Sequence, residues 1–141
     1  MLIGNDMTDV QKNYIKTIKT DKYYIIGGTG VISKKTAYSL KKYGKTDRIW
    51  GVDRYETSAA LADEFFADSK TVILAYGNNF PDGLSGAPLA LAYKAPLLLV
   101  SSSSTGAAEE YAAANSIKNV ITLGGPALIS DNAVNKIINA N

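Results

Sequence analysis

Cysteine and histidine are both absent from the 141 residues. Their absence excludes disulfides, thiol chemistry, a histidine general base and Cys/His zinc sites; any metal would have to be held by carboxylates. The chain has a single tryptophan and only four prolines. It has little net charge: 15 Lys and Arg against 13 Asp and Glu give +2. With no dense basic stripe, nucleic acid is not an expected partner. No apolar run has the length and purity of a membrane span. The richest, Gly83–Val100, is interrupted by Lys94 and two prolines, so it reads as helix, turn and buried strand. The opening MLIGNDMTDVQKNYIKTIK lacks the apolar core and cleavage site of a signal peptide.

What is present is 46% hydrophobic residues, enough for a packed core in a chain of this length. Short β-rich runs occur at Tyr23–Ile26, Arg48–Val52, Val72–Tyr76, Pro96–Val100 and Val120–Leu123, with Leu2–Ile3 as the stub of another. Between them lie helical patterns. Val10, Tyr14, Ile15 and Ile18 share one face, as do Leu61, Ala62, Phe65 and Phe66, and then Ala133, Val134, Ile137 and Ile138. The runs are continuously apolar rather than alternating, which predicts strands covered on both faces. The expected fold is therefore α/β, with three layers: a mainly parallel sheet and helices on both sides, as in Rossmann- or flavodoxin-like units.

The chain also repeats itself. At an offset of 97 residues, Leu2 falls on Leu99, Thr8 on Thr105, Tyr14 on Tyr111, Gly27-Gly28 on Gly124-Gly125 and Ile32-Ser33 on Ile129-Ser130. A repeat of this length is a whole α/β unit. The expectation is one complete unit over 46–141, preceded over 1–45 by the second half of another, as in a piece of a longer array. Residues 1–45 are then expected to carry an open strand edge or apolar helix face.

Three segments carry chemistry. In YYIIGGTGVIS, residues 23–33, a strand meets glycines and then a helix start with Ser33 as N-cap. The same pattern suits a phosphate cradle; Asp53 follows the next strand, and Tyr38 and Lys42 have YxxxK spacing. Against dinucleotide binding, Ser33 stands where the third glycine belongs, and the second copy, LGGPALIS, replaces Gly30 by Ala127. In RIWGVDRYETSAALA, residues 48–62, Asp53 and Glu56 have capping-box spacing. Arg48, Arg54 and Tyr55 form a basic and aromatic group at a strand's carboxyl end, where open sheets bind ligands and arginine suits planar anions. In GNNFPDGLSGAPLA, residues 77–90, Asn78, Asn79 and Phe80 suit neutral hydrogen bonding and stacking, as for a sugar, and Asp82 is a candidate helix cap. Gly83, Ser85, Gly86, Ala87 and Ala90 allow close helix packing, with Pro88 restricting the helix start. Ser85 has no histidine to activate it and lies outside any G-x-S-x-G elbow.

Taken in order, RIWGVDRYETSAALA, ILAYGNNFPDGLSGAPLALAYKAPLLLV and the YIIGGTGVIS turn strongly resemble the cell wall binding repeat 2 family of clostridial and other Gram-positive surface proteins. The likeness runs over nearly all of 46–141. It implies a secreted, non-enzymatic module without a cofactor, which holds a surface protein on the wall by binding an anionic secondary polymer. It also implies other copies of the repeat as partners, within the parent chain or between chains, because family members carry three tandem units about a pseudo-threefold axis. The family's DRYET pattern falls on Asp53–Thr57, its NFPDALS-like pattern on Asn79–Ser85, and its apolar polymer-linked stretch on Leu97, Leu98 and Leu99. Those leucines also read as a buried strand, which would make their part in binding indirect.

Overall fold

The computed structural model describes residues 1–140 and divides into two compact units, Met1–Trp50 and Gly51–Asn141. In the first, the order is α1 (Asp9–Thr17), β1 (Lys22–Ile26), α2 (Lys34–Leu40) and β2 (Lys45–Ile49). Helix α1 starts at a reciprocal capping box, in which Gln11 N–H donates to Thr8 Oγ1 and Thr8 N–H to Gln11 Oε1. Strands β1 and β2 pair in parallel, with Ile25 opposite Arg48. The core is small: Met7, Ile15, Ile25 and Leu40, flanked by Ile3, Tyr23, Ile32, Ala37 and Tyr43. Of the apolar face read on α1, only Ile15 is buried; Val10, Tyr14 and Ile18 are exposed. A two-stranded sheet offers this helix too little surface to cover a full stripe. Leu2–Ile3 forms no strand.

The strand expected at Arg48–Val52 lies three residues earlier and ends at Ile49. Its ladder closes with Gly27 N–H donating to Ile49 O, while the amide of Val52 is already taken by Glu56 Oε2.

The second unit runs α3 (Arg54–Phe66), β3 (Thr71–Tyr76), α4 (Pro81–Ser85), α5 (Ala87–Tyr93), β4 (Leu97–Val100), α6 (Gly106–Asn115), β5 (Asn119–Leu123) and α7 (Asp131–Ile138). Its sheet is parallel in the order β4-β3-β5. The central strand is the driest part of the protein, with Val72, Ile73, Leu74 and Ala75 inaccessible to solvent. Side chains alternate across a sheet. Val72, Leu74, Leu98 and Val100 therefore face α3, α6 and α7, which supply Ala59, Ala62, Ala108, Tyr111, Ala112, Ala133 and Ile137 to one core. On α3 the buried stripe is Ala59 and Ala62; Phe65 is exposed, because alanines let the helix approach β4 and α6 closely.

The other face, Ile73, Ala75, Leu97, Leu99, Ile121 and Leu123, receives among the described residues the short pair α4–α5, neither of which has a buried residue. The pair is split at Gly86, with Pro88 in the first turn of α5. Gly86 lets the pair lie close to the sheet: a Cβ there would displace the side chain of Leu123 and crowd Leu97 and Asp82 O. The layers expected from sequence are present: parallel strands with helices on both faces, thick on one side and thin on the other. At the sheet's β4 edge, Leu99 N–H donates to Ser58 Oγ of α3 at 3.0 Å.

Candidate functional site

Strands β4 and β5 lie on opposite sides of β3, so the chain leaves the carboxyl ends of β3 and β5 in diverging directions. Such a switch point is where open parallel sheets hold ligands. Two loops meet the description: Gly77–Phe80 after β3, and the Gly124–Leu128 turn after β5.

The first loop is held by the start of α3. Arg54 Nη1 donates to Gly77 O at 2.7 Å, and Tyr55 Oη donates to Asn78 Oδ1 at 2.8 Å. Asn78 Nδ2 in turn donates to Tyr76 Oη at 3.2 Å. The Tyr55 ring packs where a side chain on Gly77 would stand. Asn79 Oδ1 accepts from Phe80 N–H, and Phe80 is 72% exposed. The side chain of Asp53 accepts from Glu56 N–H at 2.9 Å and so caps α3, while Glu56 reaches back to Val52 N–H. The expected capping box is therefore present, with its return bond one residue earlier than usual.

Two expectations are corrected. Asp82 does not cap α4: Phe80 holds the cap position with no side-chain bond, because Pro81 begins the helix and leaves Asp82 inside its first turn. There its carboxylate faces the second loop, 3.1 Å from where a Cβ on Gly124 would lie; Gly124 has φ +103, a conformation suited to glycine. Arg48 is not an exposed cation. It is half-buried in the first unit, and its guanidinium donates to Gly27 O, Ile32 O (2.9 Å) and Ser33 O (3.4 Å), bracing the glycine turn before α2.

Arg54, Tyr55, Asn78, Asn79 and Phe80 thus come together at one end of the second sheet, with Asp82 at the neighbouring turn. Leu98 is buried, and Leu97 and Leu99 are half-buried on the thinly covered face. Sequence reading missed Tyr76, whose hydroxyl orients Asn78, and Ser58, which meets β4. The signal for Tyr76 was its place as the last residue of the run Val72–Tyr76, whose other members are apolar. Among the described residues no three Asp or Glu gather as metal ligands, and Ser85 Oγ donates to Asp82 O as an ordinary helix hydroxyl. No described helix is long and apolar enough to cross a membrane.

Comparison with known proteins agrees with this architecture. The signature of Cell wall binding domain 2 matches residues 48–134. The chain is 32% identical over 131 residues to an amidase enhancer of Bacillus subtilis, covering 93% of this chain and 18% of that protein. It is also 32% identical over 128 residues to the N-acetylmuramoyl-L-alanine amidase LytC of the same organism, covering 89% and 26%. It thus spans about a quarter or less of either relative. Among solved structures, Cwp6 from Clostridium difficile superposes with a TM-score of 0.86 at 22% identity, over 99% of this chain and 23% of that one. Cwp8 from the same organism gives 0.77 at 25% identity, over 99% and 25%. By signature and by sequence, this chain belongs to the Cell wall binding domain 2 family.

Proposed function

We propose that the chain is a non-catalytic module that holds a secreted surface protein on the Gram-positive cell wall by binding an anionic wall polymer. The observation that carries this reading is the family match, found in relatives named as an amidase and an amidase enhancer, of which this segment is a minor part. In such proteins the remaining chain would act and this part would attach.

The carboxyl end of the second sheet suits the task. Arg54 supplies a cation whose remaining N–H groups are free for a phosphate or carboxylate. Asn78, Asn79 and Phe80 offer hydrogen bonding and a stacking face for sugar units. Asp53 and Asp82 act by fixing α3 and the loop geometry, and Leu97, Leu98 and Leu99 act through strand packing. Arg48 serves by holding its glycine turn. The organisation that goes with this reading is one complete repeat over 46–141 after the second half of another.

The test is co-sedimentation with Gram-positive walls, intact or acid-stripped of secondary polymers, at low and high salt, with oligomeric mass recorded in parallel. Binding to intact walls that is lost on stripping and weakened by salt is expected. Equal binding to stripped walls, or none by a folded and oligomeric protein, refutes the polymer reading.

A second reading is supported by α4–α5. Leu84, Leu91 and Tyr93 are exposed on helices that bury nothing of their own. In that reading the repeat packs against other repeats and only the assembly binds. A chain that stays monomeric at high concentration yet binds walls fully would exclude it.

A further inference from the structure

The two glycine turns differ in how their backbone groups are closed. In the first unit, β1 carries β2 alongside it; Gly27 N–H donates to Ile49 O, and Arg48 closes the carbonyls of Gly27, Ile32 and Ser33. Among the described residues of the second unit, β5 pairs only with β3. Gly124 N–H meets no acceptor, and Gly124 O and Ile129 O meet no donor, among the described residues.

The correspondence is otherwise close. At the offset of 97, β1 (Lys22–Ile26) falls on β5 (Asn119–Leu123) end to end, the caps Ser33 and Ser130 coincide, and Gly27 and Gly124 both have positive φ. Each cap binds the amide three residues on, Thr36 N–H to Ser33 Oγ and Ala133 N–H to Ser130 Oγ.

Topology fixes the side on which a further strand would lie. The crossover from β4 through α6 to β5 passes over β3 on the core face, and α7 packs on that same face. Parallel crossovers are right-handed. A strand following α7 must therefore continue in the same direction, to the outer side of β5, which is the open side.

We propose that the outer edge of β5, together with the Gly124–Ser130 turn, is a docking site for a parallel strand of the β2 kind, the Lys45–Ile49 pattern with its arginine, supplied by another copy of this repeat. The incoming strand would place its arginine opposite Thr122, as Arg48 stands opposite Ile25. The guanidinium would then close Gly124 O, Ile129 O and Ser130 O. The sheet would become β4-β3-β5 plus one, the doubly wound order of flavodoxin-like folds.

The test adds a second copy of Lys45–Asp53 (KTDRIWGVD) to the full chain directly after Asn141, so that its spacing from Ser130 matches that of β2 from Ser33. Hydrogen exchange at Val120, Thr122 and Gly124 is expected to slow by about tenfold or more relative to the unextended chain, with a higher Tm. An extension with alanine in place of its arginine is expected to lose most of that protection. Unchanged exchange at these amides in the extended chain overturns the docking site, and equal protection by the alanine extension overturns the role of the arginine. An unextended chain that is monomeric and already protects these amides as well as those of β3 overturns both.

Discussion

The segments α1–β1–α2 and α6–β5–α7 share a plan but not a setting. Tyr14 and Tyr111 occupy the same place on their helices, yet Tyr14 is 57% exposed and Tyr111 only 2%. Tyr111 lies in a core fed by three helices and donates its hydroxyl to Phe66 O at 2.8 Å. The first segment has a core of four buried residues and compensates at its turn, where Arg48 gathers three carbonyls and Ser33 Oγ donates to Asp6 at 2.9 Å. The same local pattern is thus secured by packing in one place and by polar bracing in the other.

The largest expected effects come from truncating the equivalent core residues Leu40 and Ile137. Each change to alanine is expected to cost about 2–5 kcal/mol, with Ile137→Ala the greater because its site lies in the larger core and has less freedom to collapse. Denaturant unfolding of the two variants, with exchange at β1 and β5 followed separately, checks this; a costlier Leu40→Ala would reverse the comparison.

Next comes the brace. Arg48→Met keeps the stem and removes the donors. It is expected to destabilise the first unit by about 2–3 kcal/mol, since half-buried carbonyls lose a charged partner. Amides from Gly27 to Thr36 should exchange faster while those of β3 do not change.

A third contrast uses pH. Burial raises the Tyr111 hydroxyl to about 12, with the Asp63 charge adding to the effect. Its folded pKa thus exceeds the ordinary value near 10. The unfolded chain releases this proton first, so stability is full below pH 10 and falls as pH rises toward 12, by roughly 1–2 kcal/mol once solvent screening is allowed for. Alkaline unfolding of Tyr111→Phe should lack this fall.

The smallest effects are at the caps. Ser130→Ala is expected to cost about 1 kcal/mol. Ser33→Ala should cost somewhat more, because that hydroxyl also holds Asp6. Equal thermal shifts in the two variants would mean that the Asp6 contact contributes nothing.

Much of this was legible in the sequence, for definite reasons. The strand Val72–Tyr76 could be read because a strand covered on both faces is continuously apolar, and Val120–Leu123 because it is a short β-rich run that ends at a double glycine. The caps Ser33, Asp53 and Ser130 could be read because capping is local chemistry. What escaped was set by tertiary context. Exposure on α1 depends on how little sheet it covers, which no periodicity reveals. Arg48 reads as a ligand cation until its guanidinium is seen among backbone carbonyls. Asp82 has cap chemistry, but the proline before it moves the helix start. At the candidate site, the cluster of Arg54, Tyr55 and Asn78 was foreseen as a shared sheet edge. The bonds joining them, and the part of Tyr76, depend on side-chain directions that spacing does not give.

The hydroxyl of Ser58 at Leu99 N–H has a consequence for the sheet as a whole. It places a helix side chain over the β4 margin, where an exposed backbone would otherwise invite a neighbour. The β5 margin has no such cover among the described residues. A sheet closed at one border and open at the other has a polarity: it can be lengthened at only one end.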